Sequence, residues 1–321
     1  MSIDRGGTDA RRGRGPGQGG LRLSARIAAR KKTAYRDERP FDGRKRVLHC
    51  EYYKFLWRQG LVEFSKGIPY GRWLEYPAVV DRLALGPGDR LLDVGTRYSP
   101  LAQVLAKRFG CSVRAVDPEP DFRDRQLRMA NKVPWARRLM KEGRLDFTVA
   151  DAARLPFADG EFTRISVISV LEHIVAERLV LAELVRVLAP GGRMVISVPF
   201  DPWRDEPKYT RTRTYVDGRP DEARFYMRYY SEENLRERLI EPSGLRLESA
   251  EYFGEPGFNA HNLVFGNARI PWWIRRIFLQ PLVPLTAPLL MRQLPPARFR
   301  RKTRMYTADF AVLVLVKDDR G

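Results

Sequence analysis

The chain holds 321 residues, 44% of them hydrophobic, enough for one large domain with additions or two small ones and for a sizeable core. Its two cysteines, Cys50 and Cys111, exclude a disulfide framework and fit a reducing, cytoplasmic compartment, while His49, His173 and His261 lie too far apart to suggest a metal site. The N-terminus lacks the apolar stretch of a signal peptide, and no run of about 18 uninterrupted apolar residues marks a membrane span.

The formal charge of +19 is unevenly placed. Residues 1–46 carry 14 Lys or Arg against 5 Asp or Glu. Such a balance suits nucleic acid or an anionic membrane as partner. Yet the chain has 47 arginines and only 11 lysines, which also fits the coding bias of a GC-rich genome. Residues 1–46 hold too few large apolar side chains to offset ordering entropy and read as a basic, disordered tail.

Order begins near Val47. Residues 47–88 read as a helical cap, with an aromatic segment from Tyr52 to Phe64 and a second helix from Trp73 to Leu83. The aromatic density suits core packing or the wall of an acceptor pocket. Residues 90–117 then read as strand, glycine turn, helix and second strand. Leu91, Leu92 and Val94 make a strand buried on both faces, with Asp93 inside it, and Gly95 ends it. Ser99 and Pro100 offer a helix N-cap and a first-turn proline, and Gly110 closes the helix. The next strand ends at Asp117, 22 residues after Gly95, a spacing that suits a carboxylate held against ribose hydroxyls.

Residues 127–140 look helical, with Pro134 interrupting the pattern. A third strand runs from Leu145 to Asp151, and Ile165–Val170 make a fourth, with Glu172 and His173 just beyond its end. An amphipathic helix over 177–188 is stopped by Pro190-Gly191-Gly192, and Met194–Val198 form a fifth strand. Residues 200–230 form a long polar loop, and loops of that length are more often functional than idle. Ser231 opens a helix in a capping-box pattern. Leu245, Leu247 and Met305–Val316 supply the last two strands, with an insertion at 254–303 between them. The alternation predicts an α/β fold, a doubly wound, Rossmann-like, mostly parallel seven-stranded sheet. Its domain would comprise 89–253 and 304–317.

The turn Asp93-Val94-Gly95, the acid Asp117, LPFADGEF-TRISVISVLEHI and LAELVRVLAPGGRMVISVPF now resemble, in order and spacing, the class I S-adenosylmethionine-dependent methyltransferases. The likeness is to the small-molecule subgroup that includes quinone and lipid methylases. It runs over about half the chain and implies S-adenosylmethionine as cofactor. It further implies that Gly95 and Thr96 form the turn beside the methionine part, which Asp93 helps to hold. Asp117 would accept the ribose hydroxyls, and Asp151 with Ala152 would bind the adenine edge. Ser169 and Glu172 would border the sulfonium, and His173 is the best-placed general base, ahead of Tyr215, Tyr226 and Asp201. The family turn usually carries further glycines where this chain has Arg97 and Ser99.

The acceptor implied is a small or lipid-like molecule methylated at oxygen or carbon. The Asn/Asp-Pro-Pro-aromatic signature of amino-group methylation is absent, since the fourth strand is followed by Ser169-Val170-Leu171-Glu172. Two other readings compete: a nucleic-acid methyltransferase guided by the basic tail, and a non-catalytic binding protein that keeps the fold. Within the insertion, Ile270, Trp273, Ile274, Ile277 and Phe278 fall on one helical stripe, and residues 269–304 hold nine Lys or Arg and no acid. That composition suits either a lid or a helix on an anionic membrane surface, through residues 269–292.

Overall fold

A computed structural model describes residues 46–203, 208–210, 224–256, 270–299 and 309–319. The basic tail, the tip of the 200–230 loop, the stretch 257–269 and residues 300–308 lie outside the described residues.

The chain opens with three helices, α1 (Arg46–Gln59), α2 (Leu61–Lys66) and α3 (Arg72–Leu83). The alternating core follows: β1 (Arg90–Val94), α4 (Leu101–Phe109), β2 (Ser112–Asp117), α5 (Phe122–Asn131), α6 (Pro134–Lys141), β3 (Leu145–Val149), β4 (Phe162–Ile168), α7 (Glu177–Val187) and β5 (Leu188–Pro199). A short ladder, β6 (Lys208–Thr210) with β7 (Arg224–Met227), lies within the stretch expected to be irregular. The chain then forms β8 (Arg246–Gly254), β9 (Arg292–Gln293) and β10 (Phe310–Val316).

The main sheet has the order β3-β2-β1-β4-β5-β10-β8-β9. Strands β1 to β5 are mutually parallel, and β10 runs antiparallel to both β5 and β8. The expected seven strands are present with an eighth added. The insertion contributes β9, which pairs Gln293 with Phe253 and Arg292 with Gly254, covering an edge that would otherwise stay open. Helices pack on both faces. Leu83, Leu105, Phe122 and Ala136 join one apolar core, and Leu181, Leu184 and Leu239 join the other. The order reverses at β1, whose neighbours are β2 and β4, and the crevice beyond the strand ends at such a point is where open sheets bind ligands.

Local chemistry adjusts three expectations. Pro134 splits the predicted 127–140 helix in two, because it lacks the N–H an interior turn needs yet suits the first position of α6. Pro190-Gly191-Gly192 does not form a terminator outside the sheet. β5 starts directly at Leu188 and the three residues bulge within it, so the pairing jumps from Phe162–Leu188 to Arg164–Arg193. Ser231 does cap its helix, its Oγ accepting the Asn234 N–H at 3.2 Å. The capping box is only half made, because the third helical residue is Asn234 where a glutamate or glutamine would reach back.

Candidate active site

A cavity of about 440 Å³ opens where β1, β2 and β4 end. Asp93, Gly95, Thr96, Asp117, Asp151, Ala152, Ser169 and His173 all line it, as do Arg97 and Ser99. Glu172 does not. Its side chain is buried behind the wall.

The turn after β1 is built from the strand outward. Asp93 is nearly inaccessible, and both its oxygens are engaged: Oδ2 accepts the Thr96 hydroxyl at 2.6 Å and Oδ1 accepts the Ser166 hydroxyl at 2.6 Å. Burial pushes its carboxyl pKa up, against the pull of those two hydrogen bonds. Asp93 therefore ties the turn to β4. Gly95 sits at φ +73°, and a Cβ there would lie 2.3 Å from Val170 Cγ2. The glycine is required by the loop after β4 pressing on it as well as by its own backbone.

Arg97 stands where the resembled family places a glycine, and it keeps a glycine-like conformation at φ +45°. Its backbone N–H donates to Asp117 Oδ2 at 2.9 Å. Its guanidinium lies 3.7 Å from the Glu119 carboxylate and 4.9 Å from the Tyr98 ring centre. Position 97 thus keeps a left-handed turn conformation with a side chain attached. Gln126, wholly buried on α5, staples it by donating Nε2 to the carbonyls of Arg97 (2.9 Å) and Ser99 (3.0 Å). Gln103 fixes that amide by donating to its Oε1 at 2.7 Å. Nothing in the sequence flags Gln126, a single polar residue on a helix.

Asp117 ends β2 at the cavity. Its Oδ1 accepts the Glu119 N–H at 3.1 Å, so each oxygen holds one backbone donor. Burial raises its pKa, against those two amides. Asp151 lies past β3, its Oδ1 accepting the Ala153 N–H at 2.9 Å.

The opposite wall comes from α3, part of the aromatic cap whose side chains suit either core packing or an acceptor-pocket wall. Arg72 and Tyr76 reach the cavity. Arg72 Nη1 pairs with Glu75 and donates to Ser169 Oγ at 2.6 Å. Glu75 Oε1 in turn accepts the hydroxyls of Ser169 and Ser197, each at 2.7 Å. Burial opposes the Arg72 charge, but Glu75, Tyr76 and Glu172 together outweigh it and the guanidinium pKa is raised. The signal available in advance was the i, i+3 pair Arg72/Glu75 inside an apolar helix.

His173 closes the wall beside Ser169 and Val170. Its Nδ1 lies 2.8 Å from the Tyr226 carbonyl, which can only accept, so Nδ1 carries the proton and Nε2 the lone pair of the neutral ring. Burial lowers its pKa, against that hydrogen bond. Glu172 Oε1 is 3.8 Å from His173 Nε2, and its Oε2 is buried with no hydrogen-bond partner. Desolvation pushes the Glu172 pKa up to about 8. Of the other proposed bases, Tyr226 touches His173 with its ring centre 5.6 Å away. Asp201 is buried and accepts the Trp203 N–H at 3.0 Å, and Tyr215 lies outside the described residues.

Residues 92–196 match the sequence profile of a family described as a methyltransferase domain. Among curated proteins, the chain is 32% identical over 152 residues to the methyltransferase GfsG of Streptomyces halstedii, covering 42% of this chain and 51% of that protein. It is 32% identical over 119 residues to an O-methyltransferase of Pyrenophora dematioidea, covering 37% and 42%. It is 36% identical over 118 residues to the ubiquinone/menaquinone biosynthesis C-methyltransferase UbiE of Bordetella parapertussis, covering 36% and 43%. The chain therefore spans about half the length, or less, of the curated relatives it matches. The match to the methyltransferase domain thus covers residues 92–196, about a third of the chain, and the strand order and the carboxylate ending β2 agree with it.

Proposed function

We propose that the chain moves the methyl group of S-adenosylmethionine to an oxygen or carbon of a small-molecule or lipid-like acceptor. The observation that carries the reading is a single cavity with carboxylates, Asp117 and Asp151, toward one end and His173, Arg72 and Tyr76 toward the other. Relatives named as O- and C-methyltransferases support the choice of acceptor atom. In this reading 89–253 with 304–317 form the catalytic domain and 47–88 its cap.

The residues present fit the cofactor. A carboxylate offers about four acceptor sites, and backbone amides take two of those on Asp117, leaving room for two ribose hydroxyls. Asp151 and the Ala152 backbone would meet the adenine, and Gly95 and Thr96 the amino-acid part, with Asp93 acting through the turn it holds. When bound, the cofactor supplies a methyl carbon activated by a positively charged sulfur. The chain supplies alignment, and a base where the acceptor must lose a proton. His173 suits that role: burial keeps its ring neutral, and the Tyr226 carbonyl orients it so that Nε2 can take the proton. Ser169 and Glu172 brace the loop that carries it.

The acceptor would be apolar, met at an anionic membrane through residues 269–292, with the enzyme otherwise cytoplasmic. Among the described residues no helix is long and apolar enough to cross a membrane. Calorimetry of the full chain with S-adenosylhomocysteine tests the core of the reading. Micromolar binding is expected, followed by label transfer from methyl-labelled cofactor to a panel of phenolic and quinol acceptors. Absence of heat at high ligand concentration refutes it.

A further inference from the structure

The described residues expose 18 large hydrophobic side chains, and 11 of them fall in just two segments, Trp57–Phe64 and Trp273–Leu290. These segments lie far apart in sequence and meet in the fold. Arg276 Nη2 donates to the Val62 carbonyl at 2.6 Å and its Nε to Ser65 Oγ at 3.0 Å. Gln280 Nε2 donates to the Ile68 carbonyl at 2.7 Å. Helix α2 and the stretch just after it are thus fastened to the insertion, and Trp57 at the end of α1 packs edge-on against Phe64 of α2, ring centres 5.2 Å apart.

The insertion's helix Val283–Leu290 shows how the surface arises. Val283 and Ala287 are fully buried and pack toward α3, the helix that carries Arg72 and Tyr76. Leu282, Leu285 and Leu289 project the other way, with Leu285 and Leu289 about two-thirds exposed. The helix has no charged residue on either face. Neighbouring Ile277 and Phe278 are equally bare, and Trp57 and Trp273 add exposed indole rings. Leaving so many large apolar groups in water on one surface calls for a partner.

We propose that these two segments form one composite surface that docks on an anionic lipid bilayer. Charge selects this occupant. Residues 270–299 of the insertion carry Arg275, Arg276, Arg292 and Arg298 and no acid, and α1 adds exposed Arg58, while Lys54 and Lys66 pair with Glu51 and Glu63. A second copy of the chain would bring the same positive rim against itself, whereas anionic headgroups neutralise it. Leucines inserting below a basic rim flanked by Trp is the arrangement of a helix held in the interface plane. The helix Val283–Leu290 packs on α3, so docking would hold α3 near the membrane. This inference does not depend on methyl transfer.

Flotation of the full chain tests it without cofactor, using vesicles of phosphatidylcholine alone and of phosphatidylcholine with phosphatidylserine. Binding is expected only to the mixed vesicles and is expected to fall with added salt. Leu285→Ser with Leu289→Ser, and separately Trp57→Ala with Leu61→Ser, are each expected to lower vesicle partition about tenfold or more. Unchanged thermal midpoints and unchanged S-adenosylhomocysteine binding would show these surface variants to be folded. Recovery in the soluble fraction with both vesicle types overturns the proposal, and equal binding to neutral vesicles overturns the anionic assignment. If the Trp57/Leu61 pair has no effect, the composite surface is wrong. A dimer in sedimentation that the leucine variants dissociate would assign the surface to a second copy instead.

Discussion

Gly95→Ala offers a demanding test of the site's architecture, because the structure assigns two separate costs to one methyl group. The first is conformational: at φ +73° an L-residue pays about 1 to 2 kcal/mol that glycine avoids. The second is steric. The new Cβ would lie 2.3 Å from Val170 Cγ2 and 3.2 Å from Cγ1, so the loop after β4 must move, at about 1 to 3 kcal/mol. The sum, about 2 to 5 kcal/mol, is a large share of a domain's stability. Chemical denaturation of the purified protein reads it directly. Val170→Ala removes both clashing methyls, so the double variant should recover the steric part and keep the conformational part. A coupling of about 1 to 3 kcal/mol in the double-mutant cycle is expected. A loss below about 1 kcal/mol for Gly95→Ala, or strict additivity with Val170→Ala, would refute the claim that Val170 presses on this turn. S-adenosylhomocysteine binding should fall with the single variant and partly return with the double.

Other residues give simpler expectations. Glu172 has a folded-state pKa of about 8 against an ordinary value of 4.5, so it favours folding while protonated; that contribution is complete below about pH 4.5 and is lost as pH rises through 8. Glu172→Gln should therefore gain stability over the wild type by roughly 1 kcal/mol per pH unit across that window, and parallel stability curves would refute it. Asp117→Ala should weaken S-adenosylhomocysteine about 100-fold by calorimetry, through loss of two ribose hydrogen bonds and release of the Arg97 N–H; affinity near wild type would refute the ribose assignment. His173→Ala should cut turnover of a hydroxyl acceptor about 100-fold or more while cofactor affinity stays within a few-fold, and an unchanged rate would remove His173 as base. Gln126→Leu strips the turn carbonyls of Arg97 and Ser99 of their donor and should cost about 1 to 3 kcal/mol in denaturation, with weaker cofactor binding.

The sheet was legible because parallel strands buried on both faces leave uninterrupted apolar runs, as at Leu91–Val94 and Met194–Val198, and because each helix between them keeps its period. The places of Gly95 after β1 and Asp117 at the end of β2 were legible from the strand-turn-helix-strand pattern, while their ligand roles came chiefly from the resemblance. The bulge in β5 was not, because Pro-Gly-Gly after a helix reads locally as a stop; only pairing across to β4 shows that the sheet accommodates it. The packing reason for Gly95 was not legible for a similar cause, because the side chain that presses on it, Val170, lies 75 positions away. Arg72, Glu75 and Gln126 escaped because their partners, Ser169, Ser197 and the Arg97 carbonyl, lie from 29 to 122 positions distant.

Glu75 also decides how the cavity can open. Its carboxylate is held by Arg72 from its own helix and by hydroxyls at the ends of two neighbouring strands. Swinging α3 outward would carry the Arg72–Glu75 pair away and leave the Ser169 and Ser197 hydroxyls without their acceptor, at about 1 to 3 kcal/mol for each buried group left unpaired. Traffic of substrate and product therefore has to pass by some other doorway, and this helix serves as a fixed jamb.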